Sequence, residues 1–230
     1  MRPLVDAAST VLFDFDGPLC ALFHGRPAPQ VAERLRTLAD GFDEGRESGT
    51  WLPDTRDPYV ILANALGSGR SRELTTLLEK ALTEEECEAA PLAYPTPYAD
   101  RLVHTLRATG RRLAVATNNS PSAVERYLRT RATDEVFAGH VHGRTPDELR
   151  LKPDPYCLER ALASTATAPA DALVIGDAAR DFEAARALGV PFLGYASTEG
   201  RAARLRAAGA EHVVDSLAPV LRAVDPAARV

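Results

Sequence analysis

Hydrophobic positions along this chain follow two alternating rhythms. Short apolar runs bounded by turn residues recur at residues 11–15, 113–117, 172–175 and 190–195, with Val213 and Val214 as a shorter echo. Runs of that length read as buried strands. Between them, apolar residues spaced three and four apart predict helices over 98–109, 154–163, 178–188, 202–208 and 217–224. Gly110 and Gly189 stand as stops, and Asn118, Asn119 and Ser120-Pro121 open a further helix. A short strand is expected at 140–142. Strands alternating with helices in this way predict an α/β fold with a doubly wound parallel sheet.

The stretch from 20 to 95 breaks the alternation and reads as helical throughout. Residues 20–29, with His24, Gly25, Pro27 and Pro29, form a turn-rich hinge. Val31, Leu35, Leu38 and Phe42 share one helical face, with Gly41 as the end signal. Asp57-Pro58 reads as N-cap and first helical residue of a helix stopping at Gly67, and Ser71 opens the next. Thr83 and Glu86 have capping-box spacing for a short helix ended by Pro91. The proline-rich segment 91–97 is a stiff return link. The expected organisation is a core of residues 1–19 and 96–230 with a small helical module, 20–95, inserted into it.

The composition, 45% hydrophobic and 26% charged over 230 residues, is that of an ordinary soluble protein. A net charge of −5 argues against nucleic acid or an anionic membrane surface as partner. No apolar run is long enough for a membrane span, and the first ten residues lack a secretory core. Cys20, Cys87 and Cys157, odd in number and widely spaced, read as reduced thiols of a cytoplasmic protein. Only two of the 27 basic residues are lysines, Lys80 and Lys152, so a lysine inside a motif stands out.

Asp14 and Asp16 flank Phe15 at the end of the first strand, so their side chains share a face where ligands bind in open α/β sheets. Two carboxylates about 4 Å apart repel by roughly 4 kcal/mol at an effective dielectric near 20, which calls for a cation or a shared proton. Three more polar clusters are candidates for the same sheet edge: Thr117-Asn118-Asn119, Lys152-Pro153-Asp154-Pro155, and Gly176-Asp177 with Asp181. Each has a plainer explanation. Thr117 to Ser120 and Asp177 are good helix caps, and a single lysine is usually a solvated charge.

In this order and spacing the four clusters resemble the haloacid dehalogenase superfamily, and the helical insertion matches that family's mobile cap. The resemblance implies that Asp14 attacks phosphorus to form an aspartyl phosphate and that Asp16 acts as general acid and then base. It also implies that Thr117, with Asn118, holds phosphoryl oxygens and that Lys152 neutralises phosphate and nucleophile. Asp14, Asp177 and the main-chain carbonyl of Asp16 would bind Mg²⁺, with Asp181 supporting them. The expected activity is hydrolysis of a small soluble phosphate monoester, its small-molecule partner; oligomeric state is open. One departure is Pro18, where the family commonly has threonine or valine.

Rival readings remain. A phosphosugar mutase shares these motifs, and an inactive relative would bind a phosphorylated ligand or protein without turnover. A dehalogenase would not need Asp16, and a phosphonate-cleaving enzyme would need a cap lysine, for which only Lys80 exists. His140 and His142 read as ordinary edge residues rather than a metal pair. Trp51, Arg46, Arg56, Arg70 and Arg72 are candidates to reach substrate from the cap, although solvated helix faces account for most of the arginines.

Overall fold

The computed structural model describes residues 1–42, 51–69, 71–147 and 149–229. Arg46 and Arg70 therefore lie outside the described residues. The chain opens with α1 (Arg2–Ala7), which the apolar pattern did not reveal, and enters β1 (Thr10–Phe13). After β2 (Cys20–Ala21) come three helices, α2 (Ala28–Phe42), α3 (Pro58–Gly67) and α4 (Arg72–Ala89), and then β3 (Tyr94–Pro95). The remainder alternates: α5 (Ala99–Ala108), β4 (Arg112–Ala116), α6 (Pro121–Thr130), β5 (Val141–His142), α7 (Tyr156–Ser164) and β6 (Ala172–Gly176). It closes with α8 (Ala179–Ala187), β7 (Phe192–Tyr195), α9 (Glu199–Ala208), β8 (Val213–Val214) and α10 (Ala218–Val224).

Six strands form one parallel sheet in the order β5-β4-β1-β6-β7-β8. The alternation of side chains along each strand builds two cores. Val11, Phe13, Leu113, Val115, Leu173 and Ile175 face one apolar cluster with α1, α5, α6 and α10. Leu12, Ala114, Ala116, Ala172 and Val174 face the other with α7, α8 and α9. This is the expected α/β doubly wound sheet, with β1 at its centre where the strand order reverses.

Helices α2, α3 and α4 pack around a third cluster, which includes Val31, Leu35, Ile61, Leu62, Leu74 and Leu78. Their starts follow the sequence: Asp57 Oδ1 accepts from Tyr59 N at 2.8 Å and Ser71 Oγ from Leu74 N at 3.2 Å. Three expectations are corrected. Phe42, the last described residue of α2, is 40% exposed rather than on the inward face. Thr83 does not open a new helix, because α4 runs on through a stretch of strong helix formers to Ala89. Its hydroxyl instead bonds the Glu79 carboxylate one turn back, at 2.8 Å. And the two ends of the helical stretch are not strandless, since β2 and β3 pair antiparallel.

Among the described residues no helix is long and apolar enough to cross a membrane.

Candidate active site

The three central strands end level with one another, because Phe13 is in register with both Val115 and Ile175. The chain leaves β1 at Asp14, one residue before the run of apolar residues ends, and the Asp14 amide still donates to Ile175 O at 2.9 Å. Thr117 and Asp177 follow directly on β4 and β6. Three distant parts of the sequence thus deliver their polar residues to one sheet edge.

Lys152 arrives from the loop before α7 and is 5% exposed, not a solvated charge. Its Nζ lies 2.9 Å from Asp14 Oδ1, 2.6 Å from Asp181 Oδ1 and 3.0 Å from Ala116 O. Asn118 fixes the lysine loop, its Oδ1 accepting from Lys152 N at 2.7 Å and its Nδ2 donating to Lys152 O at 3.3 Å. The Asn118 side-chain amide is thereby committed to that loop.

Asp181 uses its other oxygen on the start of α8, accepting from Asp177 N and Ala178 N, each at 3.0 Å. Gly176 makes this approach possible, since a Cβ there would sit 2.6 Å from Asp181 Cβ. Gly17 does the same for Asp177: a Cβ would fall 2.5 Å from the Asp177 carboxyl carbon, and its φ of +125° also favours glycine. The glycine of the first motif therefore lets a carboxylate from β6 lie against the main chain that follows Asp16.

Asp14, Asp177 and Asp181 each present an oxygen, all within 4.8 Å of one another. The charges are out of balance. Burial, then the charge of Asp181, pushes the Asp14 carboxyl above its usual range despite Lys152. Burial, then Asp181 and Asp14, pushes Asp177 well above its range despite the Arg201 guanidinium 2.7 Å from Oδ2. Burial opposes the charge on Lys152, but Asp14 and Asp181 outweigh it and raise its pKa; Lys152 in turn outweighs burial and lowers that of Asp181. A cluster offering only oxygen atoms, short of positive charge and next to a cavity, fits a hard divalent cation.

Asp16 stands apart from the three. Its Oδ1 accepts from Leu22 N at 2.8 Å, and burial pushes its carboxyl up to about 6, the Leu22 amide opposing and the charge of Asp14 adding. It faces the same cavity, about 550 Å³ in volume, which Phe23, Arg56 and Tyr59 line from the helical side. That volume suits a small molecule.

The sequence pattern of the haloacid dehalogenase-like hydrolases matches residues 8–189. The chain belongs to that family. A plasmid-encoded phosphoglycolate phosphatase of Cupriavidus necator is 30% identical over 240 residues, 95% of this chain and 94% of the relative. A phosphoglycolate phosphatase of Xylella fastidiosa is 26% identical over 198 residues, 83% and 82% of the two chains. Family and relatives together make this haloacid dehalogenase-like protein a phosphatase. The fold is shared with CbbY of Rhodobacter sphaeroides, solved with phosphate (TM-score 0.67, 22% identity, 95% of this chain and 99% of that one). It is shared as well with a haloacid dehalogenase-like family hydrolase of Streptococcus pneumoniae (TM-score 0.65, 17% identity, 94% and 98%).

Pro18 leaves the turn after Asp16 intact. It is closed by the amides of Gly17, to Cys20 O at 2.7 Å, and of Leu19 and Cys20, both to Phe15 O. Of the remaining candidates, Arg56 lines the cavity. Trp51 is half-buried against the helical cluster, Arg72 and Lys80 are exposed, and His24 lies tilted against the Tyr94 ring with 5.3 Å between centroids. His140 Nδ1 and His142 Nε2 meet on the Ser164 hydroxyl, at 3.1 and 2.7 Å.

Several residues of the site carried no motif. Arg201 and Arg204 line the cavity from α9, and Arg180 reaches from α8 to Asp57 Oδ2 at 3.2 Å and over the Tyr59 ring. Alternating small and basic residues in a surface helix give no signal that two arginines turn inward.

Proposed function

We propose that the chain is a Mg²⁺-dependent phosphatase that hydrolyses a small phosphate monoester through an aspartyl phosphate on Asp14. The observation that supports this best is the placing of Asp14 itself. It stands at the strand-order switch with a buried ammonium 2.9 Å from one oxygen and the carboxylates of Asp177 and Asp181 beside it. Mg²⁺ held by Asp14, Asp177 and the main chain at Asp16 would withdraw charge from the phosphoryl oxygens.

In this reading an Asp14 oxygen attacks phosphorus while the bond to the leaving oxygen breaks, and Asp16 gives that oxygen its proton. Asp16 then takes a proton from the water that attacks the aspartyl phosphate, so inorganic phosphate leaves and both carboxyl groups return to their starting forms. Lys152 neutralises the nucleophile and the transferring group, and Thr117 and the Asn118 segment bind phosphoryl oxygens. Helices α2 to α4 serve as a cap that excludes water, which favours small substrates.

The test is phosphate release from a panel of monoesters with and without Mg²⁺, led by phosphoglycolate because the curated relatives act on it. Magnesium-dependent release is expected, and a protein that releases none from any member overturns the reading in favour of a binding protein or a mutase. Asp16→Asn should lower kcat by about 10²–10⁴-fold with Mg²⁺ affinity, read by calorimetry, little changed. Wild-type kinetics in that variant would remove Asp16 from acid-base duty.

A further inference from the structure

Among the described residues five cations line the cavity, and three of them are already matched. Lys152 lies between Asp14 and Asp181, the Arg201 guanidinium is 2.7 Å from Asp177 Oδ2, and Arg180 reaches Asp57 Oδ2 at 3.2 Å. Arg56 and Arg204 differ. Both are exposed, which puts them at the outer end of the cavity, and neither forms an ion pair or a hydrogen bond with a described residue.

Local structure accounts for their positions. Arg204 follows Arg201 by three residues, one turn along the same face of α9, so the turn that brings Arg201 to Asp177 also brings Arg204 to the cavity. Arg206 falls on another side of the helix and pairs with Glu199 Oε1 at 2.8 Å. Arg56 comes from the helical unit. Its neighbour Asp57 is tied on both oxygens, Oδ1 to the start of α3 and Oδ2 to Arg180, and so does not neutralise it.

In phosphoryl transfer the attacking and leaving oxygens lie roughly in line on opposite sides of phosphorus. With Asp14 attacking from the floor, the leaving group points outward, toward the end of the cavity where these two arginines stand. We propose that the leaving group carries a second anion, a carboxylate or a further phosphoryl group, and that Arg56 and Arg204 are the specificity residues that read it. This rests on the phosphatase reading for where the phosphoryl group sits. A guanidinium offers a planar fork of donors that suits either anion. Because one arginine belongs to the helical unit and the other to the α/β unit, an anion held by both also ties the two together over the bound ester.

Phosphonates, whose carbon–phosphorus bond a phosphatase does not cleave, test this without turnover, their binding measured by calorimetry in excess Mg²⁺. Phosphonopropionate carries a carboxylate at the end of its chain, propylphosphonate has a methyl group in its place, and ethylene bisphosphonate has a second phosphonate there. Wild type is expected to bind phosphonopropionate about tenfold more tightly than propylphosphonate, the scale of a hydrogen bond to a charged group. Arg56→Met and Arg204→Met keep the apolar stem, so each should lower that ratio, and together bring it close to one, with propylphosphonate affinity unchanged. Arg206→Met removes the same charge from the outer side of α9 and should leave the ratio as in wild type. Tighter binding of the bisphosphonate than of phosphonopropionate would assign the second anion as a phosphoryl group, and weaker binding as a carboxylate. A ratio near one in wild type, a ratio that survives the loss of both arginines, an equal fall in Arg206→Met, or a wild type that binds none of the phosphonates would each overturn the proposal. Magnesium-dependent release from esters with no preference for the charged phosphonates would leave the phosphatase reading standing without this one, and the preference without release from any ester would do the reverse.

Discussion

Asp14→Asn should abolish turnover and at the same time raise the melting temperature of the metal-free protein. In the mechanism we propose, the first effect follows from the loss of the attacking oxygen: replacing a nucleophile that acts as one unit with its partners costs on the order of 10⁴–10⁶-fold in kcat. The second follows from charge. Asp14 is 8% exposed and its carboxyl is pushed above its usual range, chiefly by burial. A raised acid pKa means that the ionised form is less favoured in the folded chain than in the unfolded one, so at neutral pH it costs stability. Asparagine keeps the shape and an oxygen for Lys152 while removing the charge, and Lys152 retains Asp181 at 2.6 Å. For a chain of this size about 1 kcal/mol moves the melting temperature by about 2–4 °C. The stabilisation that Mg²⁺ gives the wild type should shrink in the variant. Phosphate release and melting curves with and without Mg²⁺ check both; a wild-type rate, or a lower metal-free melting temperature, would contradict them.

Much of this was legible before any coordinates, and the reason lies in what each feature depends on. The sheet was readable because Val11, Leu113, Leu173 and their neighbours sit in runs whose burial needs no partner sequence to recognise. Asp14, Thr117 and Asp177 were readable because each lies just past such a run, where the fold places ligands. Lys152 gained its meaning from rarity and motif order, not from its local surroundings. By contrast, nothing near Glu86 distinguishes it from the other acidic residues of α4, and its local spacing pointed to a capping box. Its part in the fold is set by Asn119, Ser120 and Arg144, 33 to 58 residues away. Arg201 and Arg180 were hidden for the same reason: their partners, Asp177 and Asp57, are 24 and 123 residues distant. The helix α1 escaped because its six residues contribute one buried side chain, Val5, too few to make a period.

Lys152→Gln should be the most damaging single change in stability, and it should lower the rate as well. Lys152 is the cation between two buried carboxylates, with 2% of its side chain exposed. Glutamine can reach neither with a charge, so Asp14 and Asp181 would face each other across a desolvated gap. Breaking a buried pair by removing one partner costs about 3–5 kcal/mol, which for this size of chain is a fall on the order of 10 °C in melting temperature. The pH dependence gives the sign. In the wild type Lys152 keeps Asp181 below its usual range, so that group contributes stability above the unfolded carboxylate pKa and loses it as pH falls. Without the lysine both carboxyls shift upward, and protonation relieves the repulsion. The difference in melting temperature between wild type and variant should therefore narrow as pH is lowered from 8 toward 5. Mg²⁺ should also recover more stability in the variant than in the wild type, because it restores a cation to the same oxygens, while kcat stays low for want of a charge on the transferring group. Equal melting temperatures at pH 8, or a difference that widens toward pH 5, would mean that Lys152 does not carry the electrostatic balance of this site.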